Sequence, residues 1–252
     1  MDSILVISLL IFLVAVLYAS VGHGGASGYL AILSFFAYSP NEMATTALLL
    51  NLLVAGVAFY QYARAGFLKW PLTWPFLAAS IPMAYVGGLF NIPHGLYFVL
   101  LAGVLFYAAL RMSLAPNTAN PATGNSPEAL CPPKPVVALP TAGGIGLLSG
   151  VIGVGGGIFL SPVMILFKWA TPKQTAATSA CFIWLNSLAG LAGRATRGGL
   201  EWGTLWPFLI AGGLGSVIGA YYGARFISNH RLRQLLGGVL FMAAVKMVLK
   251  VF

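Results

Sequence analysis

Ser20-Val21-Gly22-His23-Gly24-Gly25 and Val151-Ile152-Gly153-Val154-Gly155-Gly156-Gly157 decide how the rest of the chain is read. Each stretch interrupts a long apolar run. Glycine costs about 1 kcal/mol relative to alanine in a helix interior, so glycine at this density ends a helix. An apolar segment restarts directly after each break. The surroundings are just as apolar: hydrophobic residues make up 59% of the 252 residues and charged residues only 7%, with a mean hydropathy of +0.91. So few charges cannot cover a soluble fold, where about a quarter of residues are charged, and disordered chains are poor in apolar residues. The composition is that of a polytopic membrane protein. Irregular backbone at membrane depth is tolerated only against protein or a water-filled cavity, so both glycine clusters are expected to face the interior.

Outward from the breaks, charge-free runs locate the segments. No Asp, Glu, Lys or Arg occurs from Ser3 to Asn41, Met43 to Ala63, Trp70 to Leu110, Pro135 to Phe167, Gln174 to Gly193 or Trp202 to Ala224. A spanning helix needs about 20 mostly apolar residues. The expected helices lie near 4–21, 25–38, 43–63, 73–90 and 95–114, and again near 136–152, 156–169, 174–193, 204–226 and 232–251. The alternation of a membrane barrel is absent. The first segment lacks the basic flank of a signal peptide and has a counterpart at 136–152, so it reads as mature structure.

The stretch 115–135 is rich in proline and small polar residues, ending Cys131-Pro132-Pro133-Lys134-Pro135, and reads as an exposed linker. It divides the chain into 1–114 and 136–252, and these halves repeat. Gly103–Leu114 matches Gly238–Leu249 at eight of twelve positions. Upstream, Pro40, Thr46, Gly66, Trp70, Trp74, Pro75 and Gly87 match Pro172, Thr178, Gly198, Trp202, Trp206, Pro207 and Gly219, all displaced by 132. Gly22, Gly24 and Gly25 match Gly153, Gly155 and Gly156, displaced by one residue less. The expected fold is an all-α integral membrane protein of two homologous multi-helix repeats, each with a Gly-broken or re-entrant helix pair. A duplicated membrane unit is characteristic of secondary transporters; duplication for stability alone is the plainer reading. Placing Arg64, Lys69, Arg111 and Lys134 inside favours inverted repeats over parallel ones, by too narrow a margin to decide.

The net charge of +9, from thirteen basic and four acidic residues, sits between and at the ends of apolar runs. That is the pattern of membrane topology, not of nucleic-acid binding. Cys131 and Cys181 are too few for a disulfide framework. His23, His94 and His230 lie too far apart in sequence for a local metal site, and no cofactor is implied.

A Gly-x-Gly-Gly break followed about fifteen residues later by Pro, then Ala-Thr or Thr-Ser, then an apolar helix ending before Gly and Trp, occurs twice. The residues are Gly22-His23-Gly24-Gly25 with Pro40 and Ala44-Thr45-Thr46, and Gly153-Val154-Gly155-Gly156 with Pro172 and Ala177-Thr178-Ser179. This duplicated set resembles the sulfite exporter TauE/SafE family over nearly the whole chain apart from the linker. The resemblance implies transport of a small anion, often sulfite, a sulfonate or a related sulfur compound, across a bacterial-type cytoplasmic membrane.

The residues themselves suggest how such an anion would be held. A helix starting after each break offers free N–H groups and a positive dipole end, which makes Gly22, Gly24, Gly25, Gly153, Gly155, Gly156 and Gly157 candidate contacts; close helix packing is the alternative. His23, where the second copy has Val154, is the one ionisable side chain of its two segments. It could couple a proton or be a hydrogen-bonded structural histidine. Thr46, Asn51, Thr178, Ser179 and Asn186 could donate to oxyanion oxygens without burying a charge, or hold helices together. Arg64, Arg194 and Arg197, at the ends of their helices, read as interface anchors, and Trp70, Trp74, Trp202 and Trp206 as interface aromatics. The expected partners are a small anionic substrate, the lipid bilayer and a coupling ion, a proton or sodium; a homo-oligomer is open. A passive anion channel and an intramembrane enzyme are the rivals, the latter disfavoured because no H-E-x-x-H or G-x-S-x-G motif appears.

Overall fold

The computed structural model describes residues 2–36, 38–114, 133–198 and 205–225, together with Phe241 and Val245. Among them every regular element is an α-helix. The elements are α1 (Asp2–Ala19), α2 (Ala26–Phe35), α3 (Pro40–Arg64), α4 (Trp70–Leu89), α5 (His94–Leu114), α6 (Pro135–Ile152), α7 (Gly157–Leu166), α8 (Pro172–Thr196) and α9 (Trp206–Arg225). The helix expected near 232–251 and most of the linker lie outside the described residues. By length and composition, α3, α4, α6 and Lys173–Thr196 of α8 can each cross a membrane.

Local chemistry sets the boundaries. Ser39 accepts a bond from the Glu42 N–H while the Glu42 carboxylate accepts from the Ser39 N–H, with Pro40 in the first turn. Thr171, Gln174 and Pro172 repeat this capping box at the start of α8. Such a box satisfies two N–H groups that a helix start leaves open, and proline is pre-organised at a first helical position. Both helices therefore start two or three residues earlier than hydropathy alone places them. Conversely α2 and α7 are ten residues each, about 15 Å and half of the ~30 Å hydrocarbon core. Both are shorter than the segments 25–38 and 156–169 that hydropathy outlines; α7 gives way to a turn at Phe167 and Lys168, with Lys168 at positive φ.

The helices interleave. α1 packs along α9 and α6 along α4; α4 also lies on α8 and α9 on α3; α3 and α8 pack on each other. Small residues allow these close approaches. A methyl on Gly87 of α4 would collide with the Leu147 carbonyl of α6, and one on Gly219 of α9 with the Val16 carbonyl of α1. One buried cluster gathers α1, α2, α3 and α5 with Phe208 and Ala220 of α9. Another gathers α6, α7 and α8 with Phe76 and Leu77 of α4. The outer surface is apolar: Leu5 of α1, Val136 of α6 and Ile210 of α9 are all exposed, as a lipid-facing surface requires.

α3 and α8 run antiparallel. Asn41, at the start of α3, is bonded to Arg194 at the end of α8, while Tyr62, near the end of α3, packs with Ala176 and Ala177 near the start of α8. The middle of this pair is where the two glycine breaks arrive.

Candidate functional site

The breaks are held by backbone conformations that favour glycine. Gly22 has φ +75°, Gly25 +90°, Gly153 +89°, Gly155 +78° and Gly156 +82°, in the left-handed region that costs other residues about 1–2 kcal/mol. Gly153 closes α6, its N–H donating to the Ser149 carbonyl. Gly25 and Gly156 are the residues from which α2 and α7 start, and neither start carries a side-chain cap. The first N–H groups of both short helices thus have no intrahelical acceptor. α3 and α8 carry capping boxes, whereas α2, α4, α6 and α7 start without a side-chain cap.

Asn51 stands between the two breaks. It is fully buried at the middle of α3. Its Nδ2 donates to the Val154 carbonyl in the second break and to Ser187 Oγ on α8, both at 3.3 Å. A methyl on Gly24 would strike Asn51 Oδ1, and one on Gly155 would lie 2.5 Å from Asn51 Nδ2. Ile183 of α8 fills the other side, within collision distance of a methyl on Gly24, Gly155 or Gly157. The two breaks, at Gly24 and Gly155 just ahead of the short helices, therefore pack on one α3 side chain and one α8 side chain. Asn51 Oδ1 is buried without a hydrogen-bond partner.

His23 reaches across from the first break to the second half. Its Nε2 lies 3.0 Å from Ser161 Oγ on α7 and its Nδ1 3.0 Å from the Val21 carbonyl. Ser161 Oγ donates to the Gly157 carbonyl at 3.0 Å and lies 2.8 Å from Ser179 Oγ on α8. His23, Ser161 and Ser179 form one hydrogen-bonded chain beside the α7 start. Ser161 was not singled out in the sequence, where nothing local distinguishes it from other serines in apolar helices.

The other expected site residues divide. Gly22 and Gly153 are packed against Ala176 and Ala44, and Gly25 against Tyr29. Gly156 lies against Ile145 and Phe182, and Gly157 opens α7. Asn186 is fully buried with neither amide atom bonded. Thr46 is buried on α3. Thr178 turns to α4 instead, its Oγ1 3.0 Å from Thr73 Oγ1, while Thr73 Oγ1 also donates to the Lys69 carbonyl; it belongs to a helix contact.

Arg194 corrects an expectation outright. It is no interface anchor but 2% exposed. It donates to the Gly150 and Val151 carbonyls at the end of α6 at 3.2 and 2.8 Å, and to Asn41 Oδ1 at 3.0 Å. Tyr97 donates to the next carbonyl, Ile152, at 3.1 Å. With Gly153 on Ser149, every carbonyl of the last α6 turn is accounted for. Arg197 donates to the Phe90 carbonyl and, at 2.8 Å, to the same Asn41 Oδ1. Its partial burial lowers its pKa from the ordinary value through desolvation, and arginine still stays protonated. Arg64 is exposed, as an anchor would be, and Trp70, Trp74 and Trp206 lie on the outer surface; Trp202 lies outside the described residues. Among the described residues no group of three His, Cys, Asp or Glu could hold a metal ion.

Comparison with known proteins gives a consistent result. The family model for "Sulfite exporter TauE/SafE" matches residues 7–247. The chain is 34% identical over 241 residues to a protein of Sinorhizobium fredii named "Probable membrane transporter protein y4hK", covering 94% of this chain and 95% of that one. It is 25% identical over 234 residues to "Probable membrane transporter protein YdhB" of Bacillus subtilis, covering 88% and 89%. No solved structure matches.

Proposed function

The chain belongs to the sulfite exporter TauE/SafE family of membrane transporters, and on that premise we propose that it is a secondary carrier of a small anion, a sulfur oxyanion such as sulfite or an organosulfonate. The membrane would be a bacterial-type cytoplasmic one. The observation that carries the reading is the meeting of the two glycine breaks at Asn51 and Ile183, each just ahead of a helix start without a side-chain cap. Helix starts with free N–H groups attract anions through both hydrogen bonding and dipole. Neutral donors suit a carrier, because a buried fixed charge would hold the anion too firmly to release it. Asn51 and the unbonded Asn186 would orient the oxyanion, and the His23–Ser161–Ser179 chain would sense its arrival.

Alternating access follows from two inverted repeats rocking about this point. Two observations support inversion. The helices matched by the displacement of 132, α3 and α8, run antiparallel. Contacts exchange between halves in pairs: Gly22 on Ala176 with Gly153 on Ala44, and Gly87 on Leu147 with Gly219 on Val16. In this arrangement each break dips in from the opposite side, and α2 or α7 returns over half the membrane as a re-entrant helix.

Ligand-induced thermal stabilisation of the purified protein tests the substrate class. Sulfite, ethanesulfonate or thiosulfate should raise the melting temperature, and acetate should not. Stabilisation by carboxylates alone would sink the sulfur-anion reading.

A further inference from the structure

Beside the end of α8, apart from the Asn51 junction, a cleft of about 40 Å³ is lined in part by Asn41, Asn91, His94, Arg194 and Arg197. A water needs some 10–15 Å³ by this kind of measure, so the cleft has room for a few waters or one small oxyanion. Two guanidinium groups converge here on a single neutral acceptor, Asn41 Oδ1, at 3.0 and 2.8 Å. None of their contacts among the described residues is to a carboxylate. The Glu42 carboxylate nearby in sequence is engaged by the Ser39 N–H. Arg194 is almost wholly buried, and its Nε has no partner. A buried cation whose donors are incompletely paired is costly unless something completes it.

Capping α6 does not account for this charge. At the position displaced by 132 from Arg194 stands Tyr62, whose hydroxyl donates to the Ser20 carbonyl at 3.4 Å. Ser20 is the residue matched to Val151, whose carbonyl Arg194 takes. One half therefore closes the helix end before its glycine break with a neutral phenol, and the other with a guanidinium. Arg197 adds a second positive charge, and the residue matched to it in the first half is Ala65.

We propose that Arg194 and Arg197, with Asn41, Asn91 and His94 around them, form an oxyanion-binding cleft at the end of α8, next to the α6–α7 break. Its occupant is a free, small oxyanion of the sulfite or sulfonate class. Each guanidinium keeps N–H donors that these contacts leave unused, and charge-assisted hydrogen bonds from two of them suit the oxygens of one such group; the cleft is too small for a larger body. This site is separate from the Asn51 junction, and its existence does not depend on that junction's role.

The test is calorimetric titration of the purified protein with sodium sulfite and with sodium ethanesulfonate, and separately with phosphatidylglycerol in otherwise zwitterionic nanodiscs. Two variants are compared with the native protein. Arg197→Gln removes the more accessible charge, and Arg194→Tyr substitutes the residue that caps the matching carbonyl in the other half. The expected result is a sulfite-binding event weakened at least tenfold in Arg197→Gln at an unchanged melting temperature, and likewise in any folded Arg194→Tyr. The same event should persist in Asn51→Leu. Native-like sulfite affinity in Arg197→Gln made on the Asn51→Leu background, where the junction cannot supply the event, overturns the proposal, as does a native protein that binds phosphatidylglycerol but neither sulfite nor ethanesulfonate. Loss of the event in Arg197→Gln together with full anion flux in Asn51→Leu would sustain this cleft while removing the Asn51 junction as the transport site.

Discussion

Gly153 lies against the backbone of Ala44, so closely that a methyl on the glycine would sit 2.7 Å from Ala44 Cα. Gly22 meets Ala176 in the same way, 2.7 Å from its Cβ. Ala44 lies in the second turn of α3 and Ala176 in the second turn of α8. Because these two helices are antiparallel, the contacts lie toward opposite ends of the pair. The breaks thus approach from opposite ends and meet at Asn51.

These contacts make glycine substitutions position-dependent. Gly22→Ala and Gly153→Ala each meet a positive φ and a backbone already in the way, and should cost at least ~2 kcal/mol. Gly198→Ala meets a positive φ but open space, so it should cost only the conformational part, about 1 kcal/mol. Gly103, helical and unobstructed, should tolerate alanine without loss. Thermal unfolding in one detergent ranks the four.

Thr73 and Thr178 bind each other across α4 and α8. Replacing one by valine leaves the other partly unsatisfied and should cost about 1 kcal/mol, while the double change should cost less than the sum. A double-mutant cycle on melting temperature measures this coupling. Anion flux per folded molecule should stay at the native value, since the pair faces a helix contact.

The capping boxes make a third prediction. Ser39→Ala and Thr171→Ala should each destabilise by ~1 kcal/mol. Ser39 is expected to matter more, because its partner Glu42 is charged and sits at the positive end of a helix. Chemical denaturation of the two variants checks the order.

His23 is tied to Ser161, yet Ser161 keeps Ser179 and the Gly157 carbonyl when His23 is removed. His23→Ala should therefore cost no more than ~1 kcal/mol of stability while lowering anion flux severalfold. Flux normalised to folded protein is the measurement; an unchanged value would leave the histidine a purely structural bond.

Most of the fold was legible in hydropathy and glycine placement, because lipid leaves helices as the available solution and glycine marks where they stop. The early starts of α3 and α8 were also legible in Ser39-Pro40-Asn41-Glu42 and Thr171-Pro172-Lys173-Gln174, whose capping pattern outranks hydropathy. The breaks and His23 could be named from sequence, and Asn51 with them. Their partners could not, since Asn51 bonds to Val154 and His23 to Ser161 more than a hundred residues away. Arg194 was misread for a related reason. A helix-end arginine ordinarily snorkels to the interface, and only the packed position of the α6 end turns it inward onto Gly150 and Val151.

The central claim is that the Asn51 junction carries the anion. Sulfite flux into proteoliposomes bearing the native protein or Asn51→Leu tests it most directly. Leucine keeps the number and branching of the side-chain heavy atoms and removes the donor. We predict saturable flux for the native protein and at least tenfold less for a folded Asn51→Leu. Equal flux from the two proteins, or native flux no faster than that of empty vesicles, would contradict the account.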